Sequence, residues 1–337
     1  MTRFPFSILL GLVLLACAPR GVVTLMPTLA GAEPQVQQVF VASNRLPRKV
    51  EQSIFFGQQL GDVRDPTLRF GRVDLSVPPA HTTGQIEWPG SAVPDPQKHF
   101  IVSASVGYQN AEAFVAALDQ HGAPGEEVVL FVHGFNINNA EAIYRLGQVA
   151  VDYDARVPVI AFSWPSAGSP RGYAYDRDSV MFSRDGLETL LTALDQGGHG
   201  VLVVAHSMGS QLVMETLRQM SISGNRAALA NVTGVALISP DIDEDVFVRQ
   251  ASRIKPFPRP FTLLVSERDR VLELSAFLTG KPTRLGSIDD PARLGRLPVQ
   301  VIDLTDMKGG ARGGHLTAFT APEAIRLLKD MSGSPGG

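Results

Sequence analysis

A single cysteine, Cys17, stands in 337 residues. One thiol closes no intramolecular disulfide and builds no Cys-based zinc site. An excess of one charge is missing too. The chain holds 30 Lys and Arg against 33 Asp and Glu, interspersed, for a net charge of −3. No basic run or stripe stands out, so nucleic acid is not an expected partner. There is no H-E-x-x-H and no histidine cluster, so neither a metal nor another cofactor is expected. Internal repeats and heptad runs are absent. Composition is otherwise that of a globular protein, 44% hydrophobic and 19% charged, with material for one large core or two small ones.

The one long apolar run lies at the N-terminus. Met1 to Ala18 carries one positive side chain, Arg3, followed by I-L-L-G-L-V-L-L-A. It is too short to span a membrane comfortably and has the shape of a secretory signal. A buried N-terminal helix fits poorly, because nothing polar marks a second face. The run ends in Leu14-Leu15-Ala16-Cys17, which resembles the lipobox of bacterial lipoproteins. That resemblance implies a signal segment over residues 1–17 and acyl chains on Cys17, each buried methylene adding about 0.8 kcal/mol of anchoring. Ala18 is not the Asp that commonly retains such proteins at the inner membrane. The expected address is therefore the outer membrane, facing the periplasm, with 18–37 as a tether. The alternative is cleavage after Ala32, at the A-x-A of Ala30-Gly31-Ala32, releasing a soluble periplasmic protein. Arg20 interrupts the apolar stretch before it and disfavours that reading.

Residues 38–125 read as strands that extend a main sheet. Gln38–Ser43, Phe70–Val77 and Phe100–Val106 have strand character, the second by clear alternation. Asn44–Lys49 reads as a polar loop, Pro78–Gln97 as a surface excursion rich in Pro, Gly and Thr, and Ala111–Leu118 as a short helix. No residue here calls for chemistry, and His81 and His99 read as loop or edge histidines.

From 126 to 332 strand-like runs alternate with helices, leaving 333–337 as a flexible tail. The runs are Val128–Val132, Val157–Phe162, Val201–Ala205, Val235–Ile238, Phe261–Val265 and Val299–Ile302. Helical segments fall near Ala140–Asp152, Arg184–Leu194, Gln211–Met220, Leu272–Leu278 and Ala324–Met331. This pattern predicts an α/β fold, a mostly parallel central sheet with helices on both faces. Ligands of such sheets sit beyond the carboxyl ends of the strands.

The residues that suggest chemistry sit at those ends. V-L-V-V-A-H-S-M-G, Val201 to Gly209, reads as a buried strand, a sharp turn carrying Ser207 and a helix. That is a nucleophile elbow, with Ala205 where the commoner motif has Gly. Taken alone, Ser207 reads equally as a helix cap. After the first core strand comes His133-Gly134-Phe135-Asn136, whose Phe135 N–H would join the Met208 N–H as an oxyanion hole. After the fifth comes Ser266-Glu267-Arg268-Asp269, with Asp269 the candidate to orient an imidazole and Glu267 the alternative. Taken alone, Asp269 reads as the cap of the next helix. After the sixth, a glycine-rich loop carries His315. The order Ser207, Asp269, His315 is that of the α/β-hydrolase triad. His206 is adjacent to the nucleophile on a sharp turn and is not the expected base, and His133 reads as a structural hydrogen-bonder. Trp164, Tyr173, Tyr175 and Asp241 are pocket candidates. Gly168–Ser183 reads as a lid or wall of the pocket, or as a solvated loop. Asp241, Asp243, Glu244 and Asp245 lack an EF-hand spacing and read as the start of a helix.

The span Val39 to Met331 resembles a family of bacterial α/β-hydrolases of undefined physiological role, once catalogued as a domain of unknown function and often found as lipoproteins. The matching stretches are F-V-A-S-N-R at Phe40, F-G-R-V-D-L-S-V-P at Phe70, L-F-V-H-G-F-N at Leu130, F-S-W-P-S at Phe162, Y-A-Y-D-R at Tyr173, A-H-S-M-G at Ala205, S-P-D-I-D at Ser239 and S-E-R-D-R at Ser266. The resemblance implies the α/β-hydrolase fold, Ser207, Asp269 and His315 as triad, and esterase-like hydrolysis through an acyl-enzyme. The expected substrate is an ester-bearing small molecule or lipid. The alternatives are an envelope acyltransferase on the same triad and a non-catalytic envelope scaffold.

Overall fold

The computed structural model describes residues 20–23, 25, 26, 35–49, 58–90, 93–280, 284–308, 310, 311 and 313–333. The signal segment with Cys17, the alternative cleavage site at Ala30–Ala32 and the tail from 334 lie outside the described residues.

Three strands come first: β1 (Gln35–Lys49), β2 (Gln58–Val77) and β3 (Ile101–Tyr108). Then helices and strands alternate: α1 (Ala111–Asp119), β4 (Val128–Val132), α2 (Asn139–Asp152), β5 (Val159–Phe162), α3 (Tyr173–Gln196) and β6 (Val201–His206). There follow α4 (Met208–Ser223), α5 (Arg226–Ala230), β7 (Val232–Ile238), α6 (Glu244–Ala251), β8 (Phe261–Val265), α7 (Arg270–Thr279), β9 (Gln300–Asp303), α8 (Thr317–Thr320) and α9 (Pro322–Gly333). All nine strands join one sheet in the order β3-β2-β1-β5-β4-β6-β7-β8-β9. The β1–β2 and β2–β3 pairs are antiparallel, and every pair from β1–β5 to β8–β9 is parallel.

Strand alternation builds the two layers. On β4, Val128, Leu130 and Val132 face a core shared with α1, α3, α4, α5 and α6, and Phe131 faces a second core under α2, α8 and α9. Each fully buried Leu or Phe contributes about 2 kcal/mol of transfer free energy. Among the described residues, Leu272 and Ala276 of α7 are buried but belong to neither of these two cores. From β4 the chain steps to β5 on one side and to β6 on the other, so the carboxyl ends of β4 and β6 flank the crevice where ligands of such sheets bind.

Two stretches differ from the sequence reading. Asn44–Lys49, expected as a polar loop, continues β1. Its polar side chains find partners there: Asn44 Nδ2 donates to Ser183 Oγ at 3.0 Å and Arg45 Nε to Ser163 Oγ at 3.0 Å. Tyr173–Ser183, expected as lid, wall or loop, is the first half of the 24-residue helix α3. Val180 faces the core there while Asp176, Ser179 and Ser183 are buried against polar partners, so no simple apolar stripe marks it.

Candidate active site

Ser207 stands at the turn between β6 and α4 with φ +52° and ψ −124°. A non-glycine residue tolerates this backbone only when its surroundings over-determine it. Here the Ser207 N–H donates to the Ile238 carbonyl at 2.9 Å, and the Ser207 carbonyl accepts from the Asp241 N–H at 3.2 Å. Gly209 lets α4 pass against the β4 loop: a Cβ there would meet the His133 and Val132 carbonyl oxygens at 2.4 and 2.5 Å. Gly134 does the same from the other side, its missing Cβ lying 2.8 Å from the Ser207 Cβ.

Asp269 is fully buried, and its two carboxylate oxygens do different work. Oδ1 accepts from the Val271 and Leu272 N–H groups at 3.1 Å each, capping α7. Oδ2 lies 2.7 Å from His315 Nδ1. The cap and the imidazole partner, alternatives in the sequence, are the same side chain. Glu267 is exposed, so the acid at His315 is Asp269. The glycine loop is pinned to the acid loop by Arg270 N–H to the Gly313 carbonyl, 2.9 Å. At Gly314, φ is +81° and a Cβ would meet the Arg268 carbonyl oxygen at 2.8 Å, so glycine lets His315 come in this close.

His206 joins the serine turn to the histidine loop. Its Nε2 donates to the His315 carbonyl at 3.1 Å, and the two rings lie 4.6 Å apart. Among the described residues no hydrogen bond links Ser207 with His315; such contacts commonly close only with substrate bound. The structure thus brings Ser207, His315 and Asp269 to one end of the sheet.

Phe135 follows Gly134 on the β4 loop, and Met208 opens α4. Among the described residues, no acceptor outside α4 is taken by either N–H. The Phe135 loop is held by residues the sequence reading passed over. Arg45, on β1, is fully buried, and all five of its N–H donors have partners. Nε donates to Ser163 Oγ at 3.0 Å, and Nη1 to the Gly61 and Ser166 carbonyls at 2.9 and 3.2 Å. Nη2 reaches the Ile137 carbonyl at 2.9 Å and His133 Nε2 at 3.3 Å. Burial lowers its pKa to about 9, with Asp176 and Glu141 opposing. Asp176 is buried as well. It accepts from the Asn136 N–H at 3.1 Å, the Ala167 N–H at 2.7 Å and Ser166 Oγ at 2.5 Å. Its pKa is raised by burial. Nothing in the sequence marks Arg45 as buried, since it stands in the polar run Asn44–Lys49.

Both histidines beneath the site are neutral at physiological pH. Burial, then the charge of Arg45, lowers His133 to about 3. Burial, then the charge of His315, holds His206 well below the ordinary histidine range. Each takes up a proton on unfolding once pH falls below about 6.5. Their stabilisation is therefore whole above that pH and is lost as pH drops, down to about 3 for His133. His206→Gln keeps an N–H for the His315 carbonyl and removes one titration. Below about pH 6.5 the slope of unfolding free energy against pH, from urea titrations, should be smaller in that variant. An unchanged slope would contradict a neutral His206.

The pocket candidates divide. Trp164 is fully buried beneath His133, stacked at 4.8 Å with its Nε1 donating to the His133 carbonyl at 2.7 Å, so it lines no pocket. Tyr175 turns to β2, where its hydroxyl donates to the Asp62 carbonyl and Arg64 lies over its ring. Tyr173 stays beside the site, its ring 5.4 Å from that of Phe135 and its hydroxyl 3.0 Å from Asp241 Oδ2. Asp241 is buried against Ser275 and Arg284, with Asp243 as the N-cap of α6. A cavity of about 280 Å³ opens behind the Phe135 loop, with Gly134 and His206 on the site side and Ile86, Trp88, Phe131 and Phe319 among its walls. Among the described residues no three His, Cys, Asp or Glu side chains come together as metal ligands would.

The family model described as "Alpha/beta hydrolase of unknown function (DUF900)" matches residues 110–331, well over half of the chain. The chain belongs to that family. Its sheet and helical layers are the α/β-hydrolase fold of the DUF900 proteins. No curated protein sequence matches the chain. Among solved structures, the esterase rPPE is 12% identical over 89% of this chain and 82% of its own, with a TM-score of 0.43. A dienelactone hydrolase from Anabaena variabilis is 12% identical over 85% and 95%, TM-score 0.38. A predicted CIB-like hydrolase from Thermoplasma acidophilum is 15% identical over 61% and 86%, TM-score 0.39. Likenesses this distant say nothing of substrate or of any residue's role.

Proposed function

We propose that this DUF900 protein is a serine hydrolase of carboxylic esters, held at the bacterial envelope through lipid on Cys17. The observation that carries the chemical half is the buried Asp269 carboxylate 2.7 Å from His315 Nδ1, at the same sheet end as the strained Ser207 turn. In this reading His315 Nε2 takes the Ser207 proton as Oγ attacks the acyl carbonyl. Asp269 fixes the tautomer and steadies the imidazolium. The Phe135 and Met208 N–H groups bind the oxyanion, each worth about a hundredfold or more in rate. The alcohol leaves with the proton from His315, and water, activated by the same imidazole, frees the acid. The anchoring half is supported by the lipobox-like Leu14–Cys17 alone, and is tested by labelled fatty acid incorporation that Cys17→Ser abolishes.

Short and long p-nitrophenyl esters offered to the protein from residue 18 onward test the chemistry. Turnover in the parent and a loss of about a thousandfold or more in Ser207→Ala are expected. Equal, near-background rates in both would contradict ester hydrolysis.

A further inference from the structure

Helix α7 is amphipathic in the unusual sense. Its inner face is mixed. Leu272, Ser275 and Ala276 are buried, and Ser275 Oγ donates to Asp241 Oδ1 at 2.6 Å and meets the Tyr173 hydroxyl at 2.8 Å. The helix starts at Asp269, the partner of His315, and reaches Tyr173, the neighbour of Phe135. It therefore runs along the carboxyl end of the sheet, beside the candidate site. Its outer face carries Val271, Leu274 and Phe277, spaced by three residues and exposed by 40, 58 and 81%. Arg270 stands exposed on the same face, with Glu273 at its margin. Three apolar side chains in a row facing water ask for a covering surface.

The other rim of the site says what covers it. Arg20 bonds the Asn136 side chain at 2.9 Å and its carbonyl at 2.8 Å, one residue beyond Phe135, and also pairs with Glu141. The cavity behind the Phe135 loop is lined by Arg20 as well. Cys17 precedes Arg20 by three residues, a reach of about 10 Å. A lipid on Cys17 thus brings the bilayer to the same sheet end on which α7 exposes its apolar row.

We propose that the outer face of α7 and the Arg20 rim rest on a lipid bilayer, and that the site takes the acyl esters of membrane lipids. The substrate half rests on the hydrolase reading above, and the bilayer contact on the Cys17 anchor proposed with it. Arg270 meets the headgroup phosphates, with Arg20 beside them and partly committed to Asn136 and Glu141, and Val271, Leu274 and Phe277 enter the acyl boundary. A lipid ester at this surface then faces the sheet end that carries Ser207.

The test uses Phe277→Trp in the full chain, reconstituted in 3:1 phosphatidylethanolamine–phosphatidylglycerol vesicles whose acyl chains carry bromine. The parent holds Trp88 and Trp164, which give the background. Quenching of the added emission by half or more is expected, and Leu274→Trp should report the same. Vesicle-bound protein with no added quenching would overturn the contact alone, and no vesicle binding would overturn the Cys17 anchor and the contact with it. A concentration-dependent blue shift without vesicles would assign the face to a second copy instead and overturn it too. Phe277→Ser should lower turnover of a vesicle-borne lipid ester tenfold or more and leave a short soluble ester unchanged. Equal effects on both esters would overturn the substrate class. Quenching without turnover of any ester would instead contradict the hydrolase reading, and the substrate class with it.

Discussion

Asp269→Ala should lower ester turnover about ten-thousandfold, the scale seen when a triad acid is lost. It should also destabilise the protein by about 1 kcal/mol, the cost of a helix N-cap. The two effects separate because the carboxylate divides its oxygens, Oδ1 to the Val271 and Leu272 N–H groups and Oδ2 to His315. Asp269→Asn is the discriminating variant. An asparagine caps as well as an aspartate, so the urea midpoint should return to that of the parent. Its amide donates to Nδ1 and imposes the wrong tautomer, so turnover should stay low. An Asn variant within tenfold of the parent would show that the charge of Asp269 is not used.

Arg45→Met should cost at least about 3 kcal/mol, or leave no folded protein. The guanidinium gathers Gly61, Ser163, Ser166, His133 and Ile137, which come from β2 and from the loops after β4 and β5. Its removal strands buried carbonyls that no methionine can satisfy. Arg45→Lys offers three donors in place of a five-donor fork. It should fold with a lower urea midpoint and lose about tenfold or more in kcat with KM little changed, because the Phe135 N–H would no longer be held. A Met variant within about 0.5 kcal/mol of the parent, the range of an ordinary surface change, would contradict the brace.

These two residues mark where the sequence is readable and where it is not. The β6–Ser207–α4 turn, the parallel runs and the acid and histidine after β8 and β9 are legible because each depends on local order. A β-branched run, a small residue beside a serine, or glycines before a histidine all speak within ten positions. Asp269 is legible in both of its meanings, and the fold shows that one carboxylate holds both. Arg45 was not legible. A charged side chain in a polar hexapeptide reads as surface, and its burial is decided by partners 16 to 121 positions away. Trp164 failed in the reverse direction: an aromatic after a strand suggests a pocket wall, whereas the carbonyl of His133 draws its indole inward. The first half of α3 hid because its buried face is partly Asp and Ser rather than apolar.

The most direct measurement is the mass of the protein after reaction with a p-nitrophenyl alkylphosphonate, followed by peptide mapping. The phosphorus reagent traps an activated serine without needing the natural ester. One phosphonyl group on Ser207, absent from Ser207→Ala and slowed strongly in Asp269→Asn, is the predicted result. No adduct, or the same labelling with Ser207 replaced, would contradict a nucleophilic Ser207.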